Sequence, residues 1–235
     1  MSKLTKFFRR RQGYLSGRRP EDLWRELIAR HAAERSFVDV GCMWKVDGAY
    51  AFHALANGAS AVTGIDMLPA TEEFRRRNAE VGDRVRFFQA DLNDRELATR
   101  LGQFDVVFCS GVLYHVPDPI FSLLQLRRLC RQTLVLTSAS ITERSTPNAA
   151  IFLPCLDDDA RRKLNFTTPK KNKKLALDTP FVPEQWYANW FWLPTPSCLR
   201  ALVTVAGFEV VDLYRFRRVT TVVAKPAKVW APEPR

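Results

Sequence analysis

Acidic side chains and one histidine follow a series of apolar segments in the first half of the chain. Asp66 follows the run Ala61–Ile65, Asp91 comes soon after a second run, and His115 follows Phe104–Cys109. A carboxylate at a strand end can accept hydrogen bonds from both hydroxyls of a ribose. A histidine of ordinary pKa can take up a proton near neutral pH. The spacing therefore predicts a nucleotide site beside a residue suited to acid–base chemistry.

The apolar segments are predicted to be neighbouring strands that position these side chains. Their length and their content of β-branched and aromatic residues are typical of buried parallel strands. The carboxyl ends of such strands meet at one edge of the sheet, where open α/β folds bind ligands. The five predicted strands are Ser36–Val40, Ala61–Ile65, Val85–Gln89, Phe104–Cys109 and Thr133–Thr137.

The end of the chain completes the sheet. A helix is predicted from Pro196 to Ala206, followed by two strands, Phe208–Phe216 and Val219–Lys225, that a tight turn joins. One strand of such a hairpin must run antiparallel to the others. The predicted fold class is α/β: a doubly wound, seven-stranded, mostly parallel sheet with an antiparallel C-terminal hairpin and an insertion after strand 5.

The turn after the first strand argues against a dinucleotide. Gly41 allows a sharp turn and a close approach of the backbone to a ligand. A dinucleotide-binding loop would continue as GxGxxG, but this chain has Met43 and Lys45 before the next glycine, Gly48. These bulky side chains disfavour a cofactor with a diphosphate.

Four motifs resemble, in the same order along the chain, those of class I S-adenosylmethionine-dependent methyltransferases. The resemblance spans about residues 35 to 140 and returns at 198 to 225. Its departure is the first loop, where the family commonly has glycines at the positions of Met43 and Lys45. The motifs are Asp39-Val40-Gly41-Cys42, Gly64-Ile65-Asp66, Gln89-Ala90-Asp91-Leu92, and Phe104–Phe108 followed by Gly111-Val112-Leu113-Tyr114-His115.

The resemblance implies a Rossmann-like methyltransferase and a role for each motif. Gly41 would pass beneath the methionine part of S-adenosylmethionine, and Asp66 would hold the ribose. Asp91 and the Leu92 backbone would contact the adenine. The implied cofactor-binding residues are Asp39, Gly41, Asp66, Asp91, Leu92, Cys109 and Ser110. Tyr14 and Arg18 join these candidates if the basic start of the chain acts as a lid that touches the cofactor or the acceptor.

Composition divides the chain into four regions. Residues 1–34 form a basic arm and a helix from Pro20 to about Glu34, and the arm is interpreted either as a lid or as a solvated tail. Residues 35–140 are the predicted cofactor-binding core. Residues 141–196 are a substrate-binding insertion, and residues 197–235 complete the core sheet and end in a tail.

The insertion is rich in aromatic residues and also holds three consecutive acids. Aromatic side chains make suitable walls for a flat or sugar-like acceptor, although most could instead pack the insertion onto the sheet. The acids could bind Mg²⁺, or they could mark a helix N-terminus. The predicted substrate-binding residues are Tyr114, Trp186, Tyr187, Trp190 and Trp192, and the candidate metal ligands are Asp157, Asp158 and Asp159.

The preferred function is O-methylation of a small polar acceptor. A sugar or glycoside of a bacterial polysaccharide or natural-product pathway is favoured, with His115 as the base that removes the hydroxyl proton, or as a residue that shapes the pocket. The stretch Gly111-Val112-Leu113-Tyr114-His115 is also similar to transferases that modify the wobble uridine of tRNA, and the net charge of +11 would suit this alternative. A catalytically inactive, cofactor-binding partner subunit is the third interpretation.

The remaining features of the sequence indicate where such an enzyme would work. No apolar run approaches the ~20 residues needed to span a bilayer, and the basic start of the chain does not have the pattern of a secretory signal. The five cysteines include no CxxC pair that would indicate zinc or a redox couple. A cytoplasmic location is expected.

Overall fold

The computed structural model describes residues 15, 17–157, 159–160 and 181–228. Within them the helices are α1 (Pro20–Ala32), α2 (Ala49–Ala56), α3 (Glu72–Glu80), α4 (Leu97–Leu101), α5 (Pro119–Leu129) and α6 (Pro196–Val205). The strands are β1 (Ser36–Val40), β2 (Ala61–Asp66), β3 (Val85–Gln89), β4 (Phe104–Ser110), β5 (Cys130–Ala139), β6 (Ala150–Phe152), β7 (Trp192–Pro194), β8 (Phe208–Arg215) and β9 (Val219–Pro226). Two 3-10 turns, Leu113–His115 and Pro183–Ala188, lie beside the strand ends.

The main sheet has seven strands in the order β3-β2-β1-β4-β5-β9-β8. The pairs among β1 to β5 are parallel, whereas β9 pairs antiparallel with both β5 and β8. The predicted fold class and the C-terminal hairpin are thereby confirmed. Because β1 lies between β2 and β4, the ends of these three strands are adjacent at one edge.

Helices cover both faces of the sheet, as expected for a doubly wound fold. On one face, α1 and α2 pack against Phe37 and Phe108 through residues such as Leu27 and Ala51. On the other face, α4, α5 and α6 contribute Leu97, Leu123, Leu126, Leu199 and Val203 to a second core. Burial on both faces explains why the central strands read as nearly continuous apolar runs.

The element boundaries differ from the predicted ones by a few residues. The first helix ends at Ala32 rather than near Glu34, whose φ of 61° is incompatible with a helix. Strand β5 extends beyond Thr133–Thr137 because it pairs along its length with β4 and β9. Within the described residues, no helix has both the length and the apolar character needed to cross a membrane.

The insertion contributes a second, two-stranded sheet. Strands β6 and β7 form an antiparallel pair in which Ile151 lies opposite Leu193. Leu153 and Leu193 are buried against Ala139, the last residue of β5, and Ile141 just beyond it. This small third core holds the insertion next to the edge of the main sheet where the site residues lie.

Candidate active site

The predicted first loop folds as a tight turn between β1 and α2. Gly41 has a φ of 80°, and its N–H donates to the carbonyl of Ile65 on β2 at 2.8 Å. Lys45 has a φ of 58°. Lys45 thus adopts the left-handed conformation that a glycine would favour at this position. Lys45 thus has a positive φ although the sequence of the loop departs from the glycine-rich pattern.

Gly41 also has no room for a side chain. A Cβ at Gly41 would lie 2.4 Å from Cγ2 of Val112, which follows β4. Gly41→Ala is therefore expected to reduce the free energy of unfolding by about 2–5 kcal/mol, from the left-handed backbone and the clash together. Gly58→Ala is the matched control, because its φ is 83° but nothing lies within 4 Å of the added Cβ.

Urea denaturation of the two variants separates these effects. In Gly58→Ala the free energy of unfolding should fall by about 1–2 kcal/mol, which is the contribution of the left-handed backbone alone. Equal losses in both variants would contradict the tight packing of Val112 on Gly41.

Asp39 is buried below this turn with an unsatisfied oxygen. Its carboxyl group accepts a hydrogen bond from the N–H of Ala51 in the first turn of α2. The other oxygen, Oδ2, is buried and has no hydrogen-bond partner among the described residues. Burial, opposed by the Ala51 hydrogen bond, raises the pKa of Asp39 to about 7. A buried carboxylate of this kind is costly unless a cationic partner is present.

Asp66 ends β2 and connects it to the first loop. Its Oδ2 accepts from the N–H of Met43 at 2.7 Å, and its Oδ1 accepts from the N–H of Leu68 at 2.8 Å. Burial raises the pKa of Asp66 more than these backbone hydrogen bonds lower it. The N–H groups of Met67 and Trp44 also act to lower this pKa, so four backbone donors face the carboxylate.

Asp91 lies just beyond β3 and is bonded to the insertion. Its Oδ2 accepts from the Tyr187 hydroxyl at 2.8 Å, and its Oδ1 accepts from the N–H of Asn93 at 2.8 Å. The Asn93 side chain donates to the same tyrosine hydroxyl at 3.2 Å. Leu92 is buried in the adjoining core. Tyr187 thus brings the insertion to the position where the adenine was predicted.

Cys109 and Ser110 end β4 as predicted. Cys109 is buried in the core, and burial raises the pKa of its thiol. A thiol held protonated in this way is a poor nucleophile. The role predicted for these two residues requires only their backbone carbonyls.

His115 lies in an aromatic cluster beyond the end of β4. The Tyr114 and Trp190 rings are stacked with their centroids 4.0 Å apart, and Trp190 meets the His115 ring edge-on at 5.4 Å. Burial lowers the pKa of His115, although its hydrogen bond with the backbone of Asn189 acts in the opposite direction. The imidazole is therefore neutral at pH 7. Burial also raises the pKa of Tyr114 to about 12, so its hydroxyl stays protonated.

Asn189 is the site residue that the sequence analysis missed. Its backbone carbonyl lies 2.8 Å from Nδ1 of His115, although 74 residues separate the two along the chain. Its side chain is buried and bonded to Val182 and Trp186. An asparagine among the aromatic residues of the insertion was the available signal, but the contact depends on how the insertion docks.

The remaining predicted site residues are Trp186, Trp192, Arg18 and Tyr14. Trp192 donates from Nε1 to the carbonyl of Pro117 at 3.0 Å, whereas 62% of Trp186 is exposed. Arg18 forms an ion pair with Glu26 on α1. Tyr14 lies outside the described residues, so the predicted lid stays a prediction.

The acidic run of the insertion resembles a helix start in its local contacts. Asp157 accepts from the N–H of Ala160 at 2.7 Å, and Asp158 lies outside the described residues. No group of three or more His, Cys, Asp or Glu within the described part of the chain is arranged to hold a metal ion. The magnesium site stays a prediction.

Known proteins with similar sequences are methyltransferases. Residues 38–133 match the family described as Methyltransferase domain. The chain is 29% identical over 161 residues to the ubiquinone biosynthesis O-methyltransferase of Psychrobacter arcticus, a match that covers 64% of this chain and 60% of the relative. It is 32% identical over 129 residues to the protein of the same name from Histophilus somni, covering 53% and 52%. The chain thus spans little more than half of these curated relatives.

Solved structures with low sequence identity share the fold. The Burkholderia thailandensis 1,6-didemethyltoxoflavin-N1-methyltransferase superimposes with a TM-score of 0.61 at 17% identity, covering 88% of this chain and 77% of that one. The Synechocystis magnesium protoporphyrin IX methyltransferase gives 0.55 at 17% identity, covering 96% and 92%. Residues 38–133 therefore resemble a methyltransferase domain, and the chain shares the fold of these methyltransferase structures.

Proposed function

We propose that the protein is an S-adenosylmethionine-dependent O-methyltransferase that acts on a small molecule. The observation that carries this proposal is the arrangement at one sheet edge: the unsatisfied carboxylate of Asp39, the acids Asp66 and Asp91, and the neutral imidazole of His115. The two relatives described above are named for O-methylation, and the Synechocystis and Burkholderia structures contain bound S-adenosylmethionine and S-adenosylhomocysteine, respectively.

The residues present fit this cofactor chemically. The buried, unpaired Oδ2 of Asp39 would accept a hydrogen bond from the ammonium group of the methionine part. The carboxylate of Asp66 at the end of β2 suits ribose hydroxyls, and Asp91 with the Leu92 backbone suits the adenine. When bound, the cofactor supplies an electrophilic methyl group on a positively charged sulfur.

His115 would complete the reaction by removing a proton. The acceptor oxygen would receive the methyl group that the cofactor supplies and would give up its own proton. Nε2 of His115 takes the hydroxyl proton, so the oxygen does not retain a positive charge. The aromatic cluster around His115 would hold the acceptor in line with the methyl group, and such positioning supplies much of the rate.

The acceptor that suits this base best is a phenol. A histidine whose pKa lies below its usual value of about 6.5 is a weak base. A phenol has a pKa of about 10, whereas an alcohol is nearer to water at about 15.7, so proton transfer from a phenol is much less uphill. The rings of Tyr114 and Trp190 also suit a planar acceptor. The sugar predicted from the sequence is the alternative, and it would need a stronger base or a metal.

Calorimetry and an acceptor panel test this proposal. S-adenosylmethionine should bind to the purified full chain, and methyl transfer from labelled cofactor should be faster to catechols and hydroxybenzoates than to glycosides or bulk tRNA. Methylation of glycosides alone would restore the sugar, and transfer to tRNA with a steep salt dependence would favour the RNA alternative. The absence of any cofactor binding would contradict both the proposed function and the inactive-subunit interpretation.

A further inference from the structure

The tautomer of His115 is determined by a single backbone contact. Nδ1 lies 2.8 Å from the carbonyl oxygen of Asn189. A carbonyl oxygen can only accept a hydrogen bond, so Nδ1 must carry the proton in this contact. In a neutral ring, Nε2 is then the unprotonated nitrogen. The contact therefore selects the one tautomer in which Nε2 can remove a proton from an acceptor.

The carbonyl of Asn189 is held in place by the side chain of the same residue. Oδ1 accepts from the N–H of Val182 at 2.9 Å, and Nδ2 donates to the carbonyls of Val182 at 2.7 Å and Trp186 at 2.9 Å. These three bonds use both donors of the amide and one lone pair of its oxygen. They join Asn189 to Val182 and Trp186, so that residues 182–189 form a closed loop.

The loop 182–189 contains a residue with a strained backbone, and the side chain of Asn189 helps to hold that residue in place. Trp186 has a φ of 43° and a ψ of −117°, a conformation that residues other than glycine rarely adopt. Such a residue costs on the order of 1–3 kcal/mol and persists only where its surroundings hold it. The bond from Asn189 to the carbonyl of Trp186 is one restraint. Without the side chain of Asn189, the loop can relax and move the carbonyl away from His115.

Two further contacts fix the loop relative to the sheet. The Tyr187 hydroxyl donates to Asp91 beyond β3, and the N–H of Phe191 donates to the carbonyl of Tyr114 at 2.8 Å. The loop is thus attached at the predicted adenine end of the site and beside His115. Asn189 lies between these attachments.

We infer that Asn189 is a positioning residue, which closes the loop 182–189 so that its own carbonyl holds His115 with Nδ1 protonated and Nε2 free. The inference rests on the proposed function for its catalytic consequence. The tautomer of His115 does not depend on the proposed function and can be measured in the protein without ligands. Asn189 touches neither the acceptor nor the cofactor in this role.

Nuclear magnetic resonance of the full chain without cofactor tests the tautomer directly. The chain has three histidines, so His115→Ala assigns the relevant imidazole nitrogens. In the wild type, the long-range nitrogen–proton spectrum should show Nδ1 of His115 protonated. In Asn189→Ala and the nearly isosteric Asn189→Asp, which lacks both donated bonds, the spectrum should shift toward a mixture of tautomers.

Asn57→Ala is the matched control. Asn57 likewise donates from its side chain to a backbone carbonyl, that of His53 at 2.8 Å, and its Nδ2 lies 3.4 Å from the His53 ring. Its loss should move only the His53 signals. With cofactor and acceptor present, kcat should fall about 10- to 100-fold in the two Asn189 variants and stay unchanged in Asn57→Ala. The dissociation constant for S-adenosylmethionine should change less than about threefold in all three variants.

The outcomes separate this inference from the proposed function. An unchanged His115 tautomer in both Asn189 variants overturns the inference, whatever the activity. Normal kcat in these variants, alongside a large loss in His115→Ala, overturns its catalytic consequence. Full turnover in His115→Ala instead refutes the proposed base, while the tautomer measurement still decides the role of Asn189.

Discussion

Replacing His115 by alanine is expected to lower kcat by about 10²- to 10⁴-fold, the usual contribution of a general base. The neutral imidazole has Nδ1 bonded to the carbonyl of Asn189, which leaves Nε2 for the acceptor proton. The dissociation constant for S-adenosylmethionine should change little, because the residues proposed to hold the cofactor are Asp39, Asp66 and Asp91. Single-turnover kinetics with a phenolic acceptor, together with calorimetry, would measure both quantities.

The pH dependence provides a second readout of the same role. In the wild type, kcat should fall as the pH drops through the pKa of His115, which burial places below the usual value of about 6.5. This acid limb should be absent in His115→Ala. His53→Ala is the control, because the His53 ring also contacts a backbone carbonyl, that of Arg25 at 3.0 Å, but lies on α2. Equal losses in both variants would argue against a base at His115.

Asp39→Asn is expected to stabilise the protein while weakening cofactor binding. At pH 8 the wild type must bury a carboxylate with one unsatisfied oxygen, whereas the amide is uncharged. The free energy of unfolding should rise by about 2–4 kcal/mol at pH 8, since a pKa of about 7 lies well above the ordinary value of 3.8 for an aspartate. Loss of the proposed bond to the ammonium group should raise the dissociation constant about 10- to 100-fold.

The pH window of the stability gain follows from the direction of the pKa shift. Between about pH 4 and pH 7 the unfolded chain ionises at Asp39 while the folded protein stays protonated, so the wild type loses stability as the pH rises. The gain in Asp39→Asn should therefore be small at pH 4, grow to about pH 7 and then level off. Urea denaturation at several pH values would measure it. A gain that does not depend on pH would contradict the raised pKa.

Asp105→Asn is the control with the opposite sign. Asp105 lies at the amino end of β4, away from the site, and accepts a hydrogen bond from the Ser36 hydroxyl at 2.7 Å. Burial raises its pKa, but this bond and others to Ser36, Arg131 and Gln132 outweigh burial, so its pKa is lowered. The Asp105→Asn variant should be less stable than the wild type above pH 4, and its affinity for the cofactor should be unchanged.

Much of the fold was predictable because its signals are local. Apolar runs of strand length, each followed by a turn and a helix, predicted a parallel sheet, and the turn Arg217-Arg218 predicted the C-terminal hairpin. The boundaries were less accurate. Strand β5 is longer than predicted because its pairing with β4 and β9 extends it, and this pairing is not a property of the segment itself.

The candidate site was predictable only where it consists of strand ends. Asp39, Gly41, Asp66 and Ser110 lie at one edge because parallel strands end there. The backbone of Lys45 could not be anticipated from a residue type that usually avoids positive φ. The docking of Tyr187 on Asp91 joins residues 96 apart along the chain, which no local spacing encodes.

The sequence by itself determined the class of the fold and the edge at which a ligand would bind, because periodicity and turn residues act over a few neighbouring positions. Only the tertiary structure decided the chemical state of the groups there. Burial and long-range contacts leave Asp39 with an unpaired oxygen and place the Asn189 carbonyl on His115. Protonation and tautomer depend on the local dielectric and on hydrogen-bond partners, and both arise only when distant segments pack together.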